Sequence, residues 1–453
     1  MKISLKDFRA FQDTGMIDVR PLTFLVGENS SGKTSLMAAL SYIWRLDGRS
    51  IASSFNTPPF DLGTFDEIVH RVRGRTRPDN FTIEVTENII VDPSRIRMYA
   101  TKSKTERTSG QVTLTLYFSN NVGDAKISYL NLNYKGLTLE VRTKNKLQVN
   151  VIDEYENVIF DSNNGTIDLD IARGVTRLDA FEISDLGYIL RRLILDRTVK
   201  ENNSDERVNE KLALLAASYD RLTLSFPRAV FASAPVRSNP SRVYTPTDQV
   251  RTPDGTHTPQ RLFKIKESDN DRWERIKAGL ENFGRESGMF TAINVARYRS
   301  SGSSPFQINI TRNGKQSNIM DVGYGVSQAL PILTDLIESP QRSGFLFQQP
   351  EVHLHPQAQA ALGSFFVDFL NTHTGSFIVA ETHSDYLIDR VRLAIKQKII
   401  SNRMVSLLYF ETIGTQTKIR RVEIDEDGDI KSQPDSYRHF FIREQMRLLG
   451  IDE

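Results

Sequence analysis

Cysteine is absent from all 453 residues. That excludes disulfides, thiolate nucleophiles and thiolate metal sites, and it suits a reducing cytoplasm. Long apolar runs are missing too: nothing approaches the roughly 18 residues of a spanning helix, so no membrane partner is expected. The opening residues Met1-Lys2-Ile3-Ser4-Leu5 alternate like an amphipathic strand rather than a signal peptide. Charge of one sign is nearly balanced away, 58 Lys and Arg against 56 Asp and Glu, a formal +2. No global field therefore points to nucleic acid, and a DNA contact would need a local patch. The best such patch is His70-Arg71-Val72-Arg73-Gly74-Arg75-Thr76-Arg77, which reads first as a solvated loop and second as a contact for DNA or an acidic partner.

What the chain does have begins at residue 27. Gly27-Glu28-Asn29-Ser30-Ser31-Gly32-Lys33-Thr34 fits G-x-x-x-x-G-K-[ST]. The apolar run Leu22-Thr23-Phe24-Leu25-Val26 before it reads as a buried strand, and Ser35-Leu36-Met37-Ala38-Ala39-Leu40 after it as the start of a helix. Strand, glycine-rich loop and helix together form a phosphate-binding turn, in which backbone N–H groups cradle phosphate oxygens. The contacting set is Gly27, Asn29, Ser30, Ser31, Gly32, Lys33, Thr34 and Ser35. Lys33 is placed to reach the β- and γ-phosphates and Thr34 to hold Mg²⁺, so a nucleoside triphosphate is the expected ligand.

The rest of the chain divides by its periodicity. Between about residues 80 and 152 apolar and polar residues alternate, as in Gln111-Val112-Thr113-Leu114-Thr115-Leu116-Tyr117, which predicts an antiparallel meander. Between about 179 and 224 the period becomes helical and predicts a hairpin of two helices near 16 residues each. A further amphipathic helix is expected around Trp273 to Phe283, and a strand over 306–314 entering an Asn313-Gly314 turn. From 321 to 400 helix and strand alternate as in an α/β core. The expected segments are 1–78 with the phosphate loop, 79–226 as an inserted meander and hairpin, and 227–453 completing the core.

Further strings lie in that second half. Asp321-Val322-Gly323-Tyr324-Gly325-Val326-Ser327-Gln328 is a glycine-rich turn opening an apolar helix. Gly344-Phe345-Leu346-Phe347 reads as a buried strand leading into Gln348-Gln349-Pro350-Glu351 and Val352-His353-Leu354-His355-Pro356. Ser376-Phe377-Ile378-Val379-Ala380 is another apolar strand, ending in Glu381-Thr382-His383-Ser384-Asp385. Their order resembles an ABC-type ATPase head, with P-loop, signature turn, Walker B strand, D-loop and switch histidine. Within it, QPEVHLHP and ETHSDYLI are similar to motifs of the RecF, SMC and overcoming-lysogenisation-defect subgroup. Ala234-Pro235-Val236-Arg237 with Pro240-Ser241-Arg242-Val243-Tyr244 is similar to a further stretch found there.

The resemblance implies an α/β fold with a P-loop core, an antiparallel β lobe and a helical insertion. It implies head-to-tail dimers, or a higher assembly, with ATP sandwiched between one P-loop and the partner's signature turn. Gly323, Gly325, Ser327 and Gln328 would then complete the nucleotide site, and His383 would sense the γ-phosphate. Asp66 and Glu67 are candidates for the glutamine-loop position. Two acids normally follow the Walker B strand, whereas this chain has Gln348 and Gln349. An amide can accept a hydrogen bond from a metal-bound water but cannot take a proton. Thr34 and Gln348 are thus the metal-site candidates, and Glu351, Gln349 and His383 the catalytic ones. On a continuing strand Glu351 would point to the same side as Gln349. Slow hydrolysis and a long-lived ATP-bound dimer follow.

Bland alternatives weigh on other strings. His353 and His355 lack a third ligand at metal spacing, so structural roles come first. Asp425-Glu426-Asp427-Gly428-Asp429 lacks the later Glu of a calcium loop and reads as a hairpin turn. About 70 residues follow His383, too few for the Toprim nuclease of the overcoming-lysogenisation-defect proteins, and residues 434–441 read as a short closing helix. By analogy, chains of this subgroup and size resemble the ATPase components of anti-phage systems such as Septu or PARIS, which act with a separate nuclease or toxin. The implied function is a dimeric ATP-gated switch. The alternative is a RecF-like DNA-repair or DNA-clamping ATPase.

Overall fold

In the computed structural model the described residues are 1–46, 54–71, 76–100, 103, 105–143, 148–161, 206–298, 304–414, 416–431 and 446. The chain forms two compact units. One comprises Met1–Val19, Ser35–Arg228 and Thr412–Ile419, the other Arg20–Thr34, Ala229–Glu411 and Arg420–Glu453. Among the described residues, no helix is long and apolar enough to cross a membrane.

The first unit is built on a nine-stranded antiparallel sheet. Its meander runs through consecutive neighbours Asn80–Val91, Thr108–Asn121, Asp124–Tyr134, Leu137–Arg142, Gln148–Ile152 and Val158–Asp161. Alternation has the expected consequence: Phe81, Ile83 and Val85 are buried, and Leu116 and Leu114 lie opposite the last two on the next strand. The N-terminal strand Lys2–Phe8 pairs with Asn80–Val91 and extends the same sheet. The apolar face is covered by the helix Glu206–Ser225, whose Leu212, Leu215, Ala216 and Leu222 are buried at helical spacing. At 20 residues this second arm of the expected hairpin is longer than its pattern indicated. The first arm lies outside the described residues. Phe8, Phe55, Phe81 and Phe118 form one ring cluster, with Phe81 and Phe118 stacked at 4.7 Å. Each such buried ring contributes roughly 1.5–3 kcal/mol.

The second unit carries the α/β core. Five strands run parallel in the order Ala229–Ser233, Ser343–Gln348, Phe377–Glu381, Leu22–Gly27 and Val405–Ile413. The sheet continues through Gln416–Ile424 and Ile430–Lys431. Its inner strands are buried along their length and mostly apolar because helices cover a parallel sheet on both faces. The helices Tyr324–Glu338, Pro356–Thr372 and Asp385–Lys396 bury Leu333, Phe366 and Val391 in the common core. The amphipathic helix around Trp273 spans Asn270–Glu286. The strand Phe306–Arg312 enters a turn in which Asn313 and Gly314 both take positive φ, 51° and 76°. That is the backbone a two-residue hairpin needs. In the acidic 425–429 string, Asp425 accepts the N–H groups of Asp427 and Asp429 and ties a hairpin. The 434–441 segment lies outside the described residues.

Candidate functional site

Ligands of open α/β sheets bind beyond the carboxyl ends of the parallel strands, and the phosphate loop leaves Leu22–Gly27 there. Its shape comes from left-handed residues: Gly27 at φ 127°, Ser30 at 60° and Gly32 at 90°. The Ser31 hydroxyl donates to the Glu28 carbonyl at 2.7 Å and braces the turn, while Asn29 and Ser30 face solvent. The helix Lys33–Trp44 begins directly after the loop, and Ser35 is buried in its first turn.

Lys33 is only 3% exposed. Its ammonium donates to the carbonyls of Glu28 at 2.6 Å and Gly27 at 3.2 Å, and lies 3.9 Å from Glu381 Oε1. Burial holds its proton affinity below that of an ordinary lysine, with Glu381 and then Glu28 opposing the shift. The Thr34 hydroxyl donates to Glu381 Oε2 at 3.0 Å. One carboxylate thus faces both the Lys33 and the Thr34 side chains. Sequence reasoning placed Glu381 in a motif but gave it no role. Its signal was an acid closing an apolar strand in a chain with amides at positions 348 and 349.

Gln348 ends the buried strand Ser343–Gln348 and is itself buried, with no hydrogen-bond partner for Nε2 among the described residues. The strand does not continue to Glu351 as expected. Gln349 takes φ 44° and Pro350 follows, so the chain turns away and the side-chain alternation stops. Glu351 is consequently buried, with Oε1 accepting the backbone N–H of His383 at 2.8 Å. Burial pushes its carboxyl up from the ordinary glutamate range, and the His383 N–H partly opposes this. The His383 side chain is exposed.

Arg237 is buried against the same turn. Its Nη2 donates to the carbonyls of Gln349 at 3.2 Å and Pro350 at 3.4 Å, whereas Nε and Nη1 have no partner among the described residues. Burial lowers its pKa to about 10, against the pull of Glu351 and Tyr324. Arg237→Met is expected to cost about 1.5–3 kcal/mol, the usual value of charged hydrogen bonds. Denaturant unfolding of the two proteins measures it.

The signature turn is a separate cluster. Gly323 caps the helix Tyr324–Glu338 and is exposed. A side chain on Gly325 would meet the His353 carbonyl oxygen at 2.7 Å. The Ser327 hydroxyl donates to the Tyr324 carbonyl at 2.7 Å. Gln328 is buried, and its amide donates to the Ser238 carbonyl at 3.3 Å. His353 packs edge-on to Tyr324, and His355 caps the helix Pro356–Thr372. In the first unit, Glu67 accepts from Thr64 and Asp66 pairs with Arg77 at 2.5 Å. Of the basic string, Arg71 also donates to the Asp66 carbonyl, and residues 72–75 lie outside the described residues.

A parallel sheet feeding a glycine-rich loop, with lysine and threonine at the head of the next helix, defines a P-loop nucleotide-binding protein. A family model described as an AAA ATPase domain, AAA_15, matches residues 1–388, and the chain belongs to that family. Among solved structures it is similar to the Smc head domain with an extended coiled coil bound to the C-terminal domain of ScpA from Pyrococcus furiosus. That match has 11% identity and a TM-score of 0.41, covering 98% of each chain. It is also similar to the SMC head domain from Thermotoga maritima, at 11% identity and a TM-score of 0.37, covering 93% of this chain and 98% of that one. No curated protein matches the chain.

Proposed function

We infer that the chain is an ATP-dependent switch that binds ATP with Mg²⁺, hydrolyses it slowly as a dimer, and controls a separate effector. The carrying observation is the end of the Ser343–Gln348 strand. Positions 348 and 349 offer only amides, and Glu351 is turned inward onto the His383 N–H. The residues present fit a magnesium-bound triphosphate. Lys33 is desolvated and held chiefly by carbonyls, the Gln348 amide nitrogen has no partner among the described residues, and the Thr34 hydroxyl lies on a carboxylate. Thr34 and Gln348 would hold Mg²⁺, which when bound would offset the charge of the phosphates.

In this reading the N–H groups from Gly27 to Ser35 hold the phosphates, with Lys33 on the β- and γ-phosphates. Gly323, Gly325, Ser327 and Gln328 form the face offered to a second subunit's nucleotide. Glu351 takes the proton of the attacking water, which Gln349 orients, and His383 sits at the γ-phosphate. A burial-raised proton affinity suits Glu351 to a base's task. Its enclosure, and the loss of a charged acid at 348 and 349, make turnover slow. The effector is a nuclease or toxin in anti-phage defence, a reading supported by the motif strings rather than by any contact in the fold.

The test is steady-state ATP hydrolysis, with and without duplex DNA, alongside the mass in solution with ATP. Slow turnover, indifferent to DNA and accompanied by an ATP-dependent doubling of mass, is expected. Strong stimulation by DNA would put the DNA-repair or DNA-clamping reading in its place. Fast turnover in both conditions would overturn the inference from Gln348 and Gln349.

A further inference from the structure

We propose that Glu381 is the acid of the magnesium site, taking over from the neighbouring strand the charge that Gln348 does not carry. The proposal rests on the nucleotide reading above and names a residue that reading leaves without a role. Gln348 and Glu381 are direct register partners on adjacent parallel strands. Moving a carboxylate from one to the other shifts it one strand spacing, about 4.8 Å. The shift is toward the loop, because Phe377–Glu381 lies between Ser343–Gln348 and Leu22–Gly27.

The backbone fixes where Glu381 stands. Its carbonyl accepts the N–H of Gln349 at 2.8 Å, and the next N–H, of Thr382, donates to the Leu25 carbonyl at 3.1 Å. The residue is 9% exposed, so its carboxylate is confined to the loop's edge. There it accepts the hydroxyl of Thr34, the side chain that a P-loop uses to hold magnesium. Its other oxygen is 3.9 Å from the Lys33 ammonium, too far for a hydrogen bond. The Gln348 Nε2 beside it, without a partner among the described residues, is a neutral donor suited to a phosphate oxygen.

The electrostatics set two effects of opposite sign. A carboxylate beside a bare triphosphate repels it, while the same carboxylate with a divalent cation between them attracts the pair. Glu381 therefore makes ATP binding depend on magnesium. A carboxylate that only held Lys33 and Thr34 in the nucleotide-free loop would instead oppose ATP equally with and without the metal.

The experiment measures ATP affinity of the full chain by calorimetry, with Mg²⁺ and with chelator, together with Mn²⁺ binding in the presence of ATP by electron paramagnetic resonance. Glu381→Gln is expected to bind metal-free ATP more tightly than wild type and to lose about 10–100-fold in Mn²⁺ affinity. The exchange variant Gln348→Glu with Glu381→Gln is expected to recover part of that loss, which a purely structural role would not produce. Equal gains in ATP affinity with and without Mg²⁺, and unchanged Mn²⁺ affinity, would overturn the proposal. If wild type binds no ATP in either condition, the nucleotide reading itself fails, a separate outcome that overturns the proposal along with it.

Discussion

Lys33→Met is expected to weaken ATP binding about 100-fold while leaving the chain folded. Its ammonium is desolvated and held by two backbone carbonyls. Phosphate oxygens are stronger partners for a buried cation, and two charge-assisted contacts of about 1.5 kcal/mol each give that factor. Methionine keeps the apolar stem and removes the charge. A further sign distinguishes the variant. Burial lowers the lysine's pKa in the folded chain, so the unfolded chain binds more protons as pH approaches 10.5. Nucleotide-free wild type should gain stability as pH rises through the window below 10.5, and Lys33→Met should lack that component. Calorimetric titration with ATP and unfolding at a series of pH values measure the two effects. An unchanged ATP affinity would remove Lys33 from the site.

Gly27→Val is expected to abolish soluble folded protein, or to cost about 3–5 kcal/mol where the chain survives. Two causes add. Gly27 sits at φ 127°, which side chains rarely adopt. A Cβ there would overlap the Phe410 carbonyl oxygen and lie 2.9 Å from that residue's carbonyl carbon and nitrogen. The obstacle is backbone of the paired strand Val405–Ile413, so it cannot rotate aside. Gly15→Ala is the control: φ is again positive at 60°, but none of the described residues lies within 4 Å of the added carbon. It should cost only about 1–2 kcal/mol, the left-handed penalty alone. Thermal unfolding of both variants separates conformation from collision, and equal costs would refute the collision argument.

The loop and the meander were legible because their causes are local. Gly27, Gly32, Lys33 and Thr34 work at fixed spacing within one turn, and a period of two buries one face of Asn80–Val91 whatever else the chain does. The Asn313-Gly314 turn was readable for the same reason, since two residues suffice for its geometry. The place of Glu351 is not legible in this way, because the strand ends at Gln348 rather than continuing. The left-handed Gln349 ahead of Pro350 is a local conformation, yet it is stabilised by a bond from Gln349 N–H to the Glu381 carbonyl, 32 residues away. The helix Glu206–Ser225 was expected but too short, because polar residues near its start conceal a helix that tertiary packing extends.

By itself, then, the sequence determined the chemistry of the loop, the alternation of the meander and the amide character of positions 348 and 349. Those depend on residue type and near spacing alone. Only the tertiary structure decided that Glu381 meets Thr34 across 347 positions, that Glu351 turns inward, and that Arg237 lies beneath the Gln349 carbonyl. Strand order made those decisions. Placing Phe377–Glu381 between Ser343–Gln348 and Leu22–Gly27 sets distant residues about one strand spacing apart, and no periodicity along the chain encodes which strands become neighbours.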